Sequence, residues 1–144
     1  MRKSKKLRFV LWFVLVGILI GIASVYYVFN MPRRDLSKET ALFHLQASQL
    51  ISDFKSDENA ATTKYLDKAI AVTGEVKNIR TLDNHSMVFS LEDAMEGVSC
   101  TVDSAETVRF GAKLAGLKMG TRASFKGRCT GMLMDVQVIN CVPE

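Results

Sequence analysis

Three cysteines, Cys100, Cys129 and Cys141, are the residues whose type could carry covalent chemistry in this chain. In an oxidising compartment cysteines pair where geometry permits, and three allow one bond with one thiol left over. Metal chemistry has weaker footing. His44 and His85 stand apart, and neither has a second ligand at metal spacing. Glu92, Asp93 and Glu96 cluster, but without the spacing of a calcium loop, so a solvated acidic turn is the simpler reading. The sequence holds no glycine-rich phosphate loop, no nucleophile elbow and no paired-carboxylate pattern. The expectation is a protein without catalysis, bound metal or cofactor.

The elements that must position these residues begin outside the soluble part. Phe9 to Phe29 is 21 residues without a charged side chain, preceded by Arg2, Lys3, Lys5, Lys6 and Arg8. At about 1.5 Å per residue such a helix crosses a hydrocarbon core of about 30 Å. Basic residues are retained on the cytoplasmic side, so the N-terminus is expected inside and the chain from about residue 32 outside. Arg33 and Arg34 oppose this but are fewer. Trp12 and the pair Tyr26 and Tyr27 fall near the two interfaces, where amphipathic rings are favoured. A cleaved signal peptide is the competing reading, with Gly21-Ile22-Ala23 as its site. The apolar run continues through Phe29, which favours the uncleaved anchor. The layout is then a basic cytoplasmic tail over residues 1–8 and a transmembrane signal anchor over 9–31. A linker with an amphipathic helix follows over 32–63, and a folded domain over 64–144. The localisation is an inner (cytoplasmic) membrane, single-pass, with the C-terminal domain periplasmic.

The helix in the third segment is read from Asp35 to about Asn59, capped by Asp35 or Ser37. Phe43, Ala47, Leu50, Ile51 and Phe54 form its apolar stripe. Such a stripe packs on its own domain or on a partner. From Lys64 the period changes from helical to alternating. Ile70-Val72-Gly74-Val76, Met87-Phe89-Leu91, Val98-Cys100-Val102 and Ala123-Phe125-Gly127-Cys129 each alternate with polar or small residues, and Val136 and Val138 begin a fifth segment. Period two means half-buried strands. Ser104 to Leu117 reads as a helix between the third and fourth, capped by Ser104. Strand, strand, strand, helix, strand, strand is the order of a mainly β, five-stranded OB-fold barrel, with a five-stranded sandwich as the alternative. Gly74 is placed to let the long first strand bend. In that barrel the fifth strand lies between the third and fourth, so Cys141 has two available partners. Cys129–Cys141, joining the last hairpin, is the favoured disulfide. Three buried free thiols remain the alternative.

Several stretches resemble a known family. They are Asp57-Glu58-Asn59-Ala60-Ala61, Lys64-Tyr65-Leu66-Asp67-Lys68 and Val72-Thr73-Gly74-Glu75-Val76, then Val98-Ser99-Cys100, Lys126 to Gly131, Asp135-Val136 and Asn140-Cys141. Together they resemble the bacterial tRNA-anticodon-like OB-fold family over about residues 42–142. The resemblance implies the barrel and an envelope setting, and no activity. A short anchor before an exported OB barrel is also similar to the haem chaperone of cytochrome c maturation. The His-x-x-x-Tyr motif that carries haem there has no counterpart after Cys141.

Nucleic-acid binding needs a positive groove and exposed aromatic platforms. The net charge of +4 lies in the tail. From Pro32 onward 14 Lys and Arg face 15 Asp and Glu. Phe89, Phe110 and Phe125 fall on core faces. Lys126 and Arg128 form a small outward pair, with Glu75 as a cross-strand partner. Nucleic acid is therefore the weaker expectation. The reading is a membrane-anchored interaction module, an accessory subunit whose partners are the membrane and another envelope or membrane protein. The alternative is a ligand-binding barrel for an oligosaccharide or small molecule. Its face would be Ser90, Glu92, Ser99 and Thr101 on the second and third strands.

Overall fold

The structure is a computed structural model and describes residues 3–30 and 38–144. The side chains of residues 1–7 lie outside the description, as does the whole of 31–37, and with them the basic tail up to Lys6 and the caps Asp35 and Ser37. The chain forms two compact units, Met1–Arg34 and Asp35–Glu144.

The first unit is helix α1, Lys3–Phe29. Its segment Arg8–Phe29 is long and apolar enough to cross a membrane, and none of it is buried. Large apolar residues stand exposed on all sides, from Phe9 and Trp12 through Ile18 to Tyr27 and Phe29. A helix apolar all round has no single face to bury on a domain.

The second unit is the barrel. Its strands are β1 Phe43–Gln46, β2 Ala69–Thr81, β3 Met87–Leu91, β4 Val98–Val102, β5 Arg122–Met132 and β6 Val136–Pro143. The order is β1-β2-β3-β4-β6-β5, and β2 also pairs β5, which closes the five strands β2 to β6. This is the expected OB barrel. The inward residues Val72, Phe89, Val98, Cys100, Phe125 and Val138 are fully buried in one cluster. Phe89 and Phe125 meet at 4.8 Å between ring centroids. Period two thus located all five strands, because each has one wet and one dry face.

The segment before the barrel departs from expectation. The helix is shorter, α2 Ala47–Ser56, and Phe43–Gln46 is strand β1. The first half of β2 pairs β5 on one side, while β3 pairs only its second half, from Val76. That leaves an unpaired edge at Ile70–Thr73, and β1 fills it in parallel. Pairing of four residues there overrides helix continuation. At the far end Asp57 stops α2 and caps α3, Glu58–Tyr65, its Oδ1 accepting from Ala60 N at 3.0 Å. Ala47, Leu50, Phe54, Ala61 and Tyr65 are buried in the barrel's own cluster. Residues 43–65 are therefore part of the domain, not a linker to it.

Gly74 also has a different task. The register shift in β2 lies between Val76 and Asn78. A Cβ at Gly74 would come within 2.9 Å of Ala47 Cβ, so this glycine admits α2 against the sheet. Between β4 and β5 the expected single helix is two, α4 Ser104–Arg109 and α5 Gly111–Ala115, broken at Phe110. The N-cap of α4 is Asp103 rather than Ser104, and it makes no side-chain capping bond. Leu114 is buried, and Phe110 and Leu117 pack against the cluster.

Candidate binding surfaces

The outer face of β3 and β4 carries the sequence-predicted binding residues. Strand registry lines up Asn78, Ser90, Ser99 and Gln137 in one row across β2, β3, β4 and β6. Val88 and Thr101 pair in the next row. Ser90 and Ser99 do come together, but both are buried, and Thr101 is half-buried. Ser99 Oγ donates to Asp135 Oδ2, and Gln137 Nε2 donates to Asp135 Oδ1 at 2.5 Å. The hydroxyl is thus committed within the chain. Glu92 leaves the row. Its φ of 65° turns the backbone, and its Oε1 accepts from Glu75 N at 3.3 Å. Two of the four residues, Ser90 and Ser99, are thus closed to solvent. Short side chains on a pleated face are easily covered by longer neighbours, and periodicity alone does not report that.

The acidic turn after β3 is held by its own bonds. Asp93 Oδ1 accepts from Met95 N at 2.8 Å and Glu96 N at 3.1 Å, and these amides lower its pKa. Glu96 meets Lys55 at 2.8 Å. No group of three metal-ligating side chains lies together among the described residues. On β2, Glu75 registers with Arg122 of β5, whereas Lys126 registers with Ala71 and Arg128 with Ala69. Glu75 pairs with Lys77 at 2.8 Å, while Arg128 Nε lies 4.0 Å from Asp67.

All three cysteines are buried free thiols, so the structure carries no Cys129–Cys141 bond. Cys129 registers with Val138. Cys141 lies over Gly127, where a Cβ would come within 2.7 Å of its Sγ, and donates to Val138 O at 3.3 Å. Its thiol neighbour is Cys100 rather than Cys129. Burial, with Cys100 beside it, raises the Cys141 pKa well above its ordinary value. The register shifts in the β5–β6 hairpin, between Lys126 and Arg128 and again between Cys129 and Gly131, change which residues face each other. Alternation did not reveal them.

Two concavities lie elsewhere on the domain. One of about 200 Å³ sits between α2 and α3, over Asp53, Lys64 and Tyr65. Tyr65 Oη donates to Asp53 Oδ2 at 2.6 Å, and burial with that bond raises the Tyr65 pKa. Lys64 Nζ stands 4.8 Å from the Tyr65 ring centroid and 5.9 Å from that of Phe43. The Tyr65–Asp53 bond ties the two helices together, and Lys64 over Phe43 ties α3 to β1.

The other concavity, about 320 Å³, lies between α3 and the β5–β6 hairpin. Glu58, Thr62, Leu66, Met132, Leu133 and Gln137 are among its lining. At the hairpin tip Leu133 is 87% exposed and Met134 69% exposed. Gly131, at φ 106°, makes the turn that presents them. Sequence reasoning passed over this surface. Its one signal was Leu133-Met134, two large apolar residues in a turn between Gly131 and Asp135.

A family model described as tRNA_anti-like matches residues 1–142. No curated protein matches the sequence. Among solved structures, the barrel is similar to a candidate nucleic acid-binding lipoprotein from Klebsiella pneumoniae subsp. pneumoniae. The identity is 18% and the TM-score 0.55, over 79% of this chain and 99% of that one. An OBody, AM1L10, bound to hen egg-white lysozyme is similar at 16% identity and TM-score 0.43, over 56% and 76% of the two chains. The Stn1-ten1 complex of S. pombe is similar at 11% identity and TM-score 0.42, over 53% and 57%. At such identities the first of these speaks to the fold alone.

Proposed function

The chain belongs to the tRNA_anti-like family, and we propose that it is a membrane-anchored OB-fold interaction module. On this reading α1 is an uncleaved single-pass anchor with its N-terminus inside, and the barrel is an extracytoplasmic, non-catalytic domain that binds another envelope protein. The observation that carries the reading is α1 itself. Its apolar residues are exposed on every side, so they need a solvent other than water. The barrel, by contrast, buries its own core completely.

The groove at the β5–β6 hairpin supports a protein partner. Exposed Leu66, Leu133 and Met134 stand beside the polar Glu58, Thr62 and Gln137, the mixture of apolar centre and polar rim that protein interfaces use. The oligosaccharide or small-molecule reading has less support, because Ser90 and Ser99 are covered. A photoreactive residue placed at Leu133 of the full chain in native membranes tests the proposal. A discrete crosslinked protein, absent when the probe is moved to Thr101, is expected. Equal or no crosslinking at the two positions would contradict the groove as the contact.

A further inference from the structure

From Thr107 to Met134 the chain carries six basic residues and no acidic one, while the rest of the chain from Pro32 onward carries 8 basic residues against 15 acidic ones. The first part of that stretch overlaps the helical cap of the barrel, which begins at Ser104 and includes one acid, Glu106. Phe110, Leu114 and Leu117 turn inward to the core, and the rest of the cap's surface is left to solvent. Val108 on α4 is 83% exposed, and Met119, in the turn after α5, is 68% exposed. Lys113, Lys118 and Arg122 are exposed with them. Lys113 Nζ donates to Pro143 O at 3.3 Å, and Arg122 donates to Gln46 Oε1, both uncharged acceptors.

The turn is rigid. Thr121 Oγ1 donates to Lys118 O at 2.6 Å, Gly120 N donates to Val76 O at 2.7 Å, and Gly120 adopts φ 85°. Lys118 and Met119 are therefore held outward rather than left to collapse onto the domain. Glu106 on α4 lies 3.7 Å from Arg109, so the charge the cap and its turn offer to solvent comes from Lys113, Lys118 and Arg122. Aliphatic tips on a surface with that excess of basic residues match the chemistry of an anionic lipid surface.

We infer that the α4–α5 cap with the turn after it docks on an anionic phospholipid bilayer, the one α1 spans on the reading above. The proposal rests on that reading, because a chain tethered to a bilayer meets its surface at high effective concentration and a few weak contacts then suffice. The charge would also attract nucleic acid. However, no aromatic of the domain is exposed among the described residues, and single-stranded binding leans on stacking. The hairpin groove differs in kind. Its cavity is lined by Glu58, and Asp135 follows Met134, so an anionic surface is not its complement.

The test uses the full chain with Met119→Cys, reconstituted in nanodiscs of phosphatidylcholine with or without phosphatidylglycerol. The native cysteines are buried, so an environment-sensitive dye reports from position 119. The expected result is a blue-shifted emission, and roughly threefold stronger quenching by nitroxide-bearing lipid, only in the anionic discs. High salt should reverse both, and so should Lys113→Glu with Lys118→Glu, at unchanged melting temperature. Identical spectra in the two lipids, with the chain still in the discs, would overturn the docking alone. Loss of the chain from the discs would overturn the anchor, and the docking with it. A response to added single-stranded oligonucleotide but not to lipid would assign the surface to nucleic acid and overturn the proposal.

Discussion

Helices α1 and α2 are both rich in apolar residues, yet they solve opposite problems. In α2 the apolar residues keep to one stripe, and Ala47, Leu50 and Phe54 are buried by the barrel it closes. In α1 they run all round, and the helix Arg8–Phe29 has none of its length buried. A stripe declares a partner on one side, which here is the helix's own domain. A ring declares a surrounding medium. The difference separates a helix that packs on its own domain from one that is long and apolar enough to cross a membrane.

The largest effect should come from charging the ring. Leu15→Arg with Leu19→Arg places two cations at the centre of α1, at an insertion cost of about 5–7 kcal/mol by the per-residue scale. Membrane retention after alkaline washing should be lost, while the thermal transition of the barrel stays where it was. If the barrel melts earlier as well, the two units are not independent. The matching change in the stripe is Phe54→Ala, which should cost about 3–5 kcal/mol in denaturant unfolding and leave retention intact. Against a typical domain margin of about 5–15 kcal/mol that is severe. A loss below about 1 kcal/mol would mean α2 is only loosely seated.

Gly74→Val asks the same question from the sheet. Its Cβ would meet Ala47 Cβ at 2.9 Å, backbone-bound and unable to swing away. Overpacking of this kind costs about 1–3 kcal/mol, and Ala47→Gly should recover part of it in a double-mutant cycle. Additivity of the two changes would place the contact elsewhere.

The smallest effect lies at the α2–α3 junction. Tyr65→Phe removes the bond to Asp53 and should cost about 1 kcal/mol, since Asp53 is partly solvated. The pKa of Tyr65 is raised, so the folded state holds its proton more tightly than the unfolded state does. That contribution is fully present below the unfolded value near 10. It is lost as pH rises from there through the higher folded value. Denaturant midpoints across that window should fall more steeply for the native chain than for Tyr65→Phe. Parallel profiles would remove this residue from the alkaline response.

The barrel was legible because its strands alternate. Cys100, Phe125 and Val138 each declare a dry face, and the order of segments favoured the closed barrel over a five-stranded sandwich. The stretch before it was less legible, since Phe43 satisfies a helical stripe and a short alternation equally well. The choice was made by an edge of β2 that β3 leaves open, a tertiary fact. The burial of the candidate face was illegible for a related reason. Ser90 and Ser99 are both buried, and Ser99 is bonded to Asp135, which Gln137 holds in turn from another strand. Of the two neighbours open to Cys141 the structure places Cys100 beside it, and the hairpin register that bears on this choice slips twice, which alternation does not report. The hairpin groove depends on α3 meeting β5 and β6, which no local pattern announces.

The account stands or falls on where the barrel sits. A pair of reporters fused in turn after Glu144 of the full chain measures this directly, one active only outside the cytoplasm and one only inside. The account predicts activity of the outside reporter alone, on a product of uncleaved size that stays with the membrane after alkaline washing. Activity of the inside reporter, or a shortened product released to the soluble fraction, would contradict it.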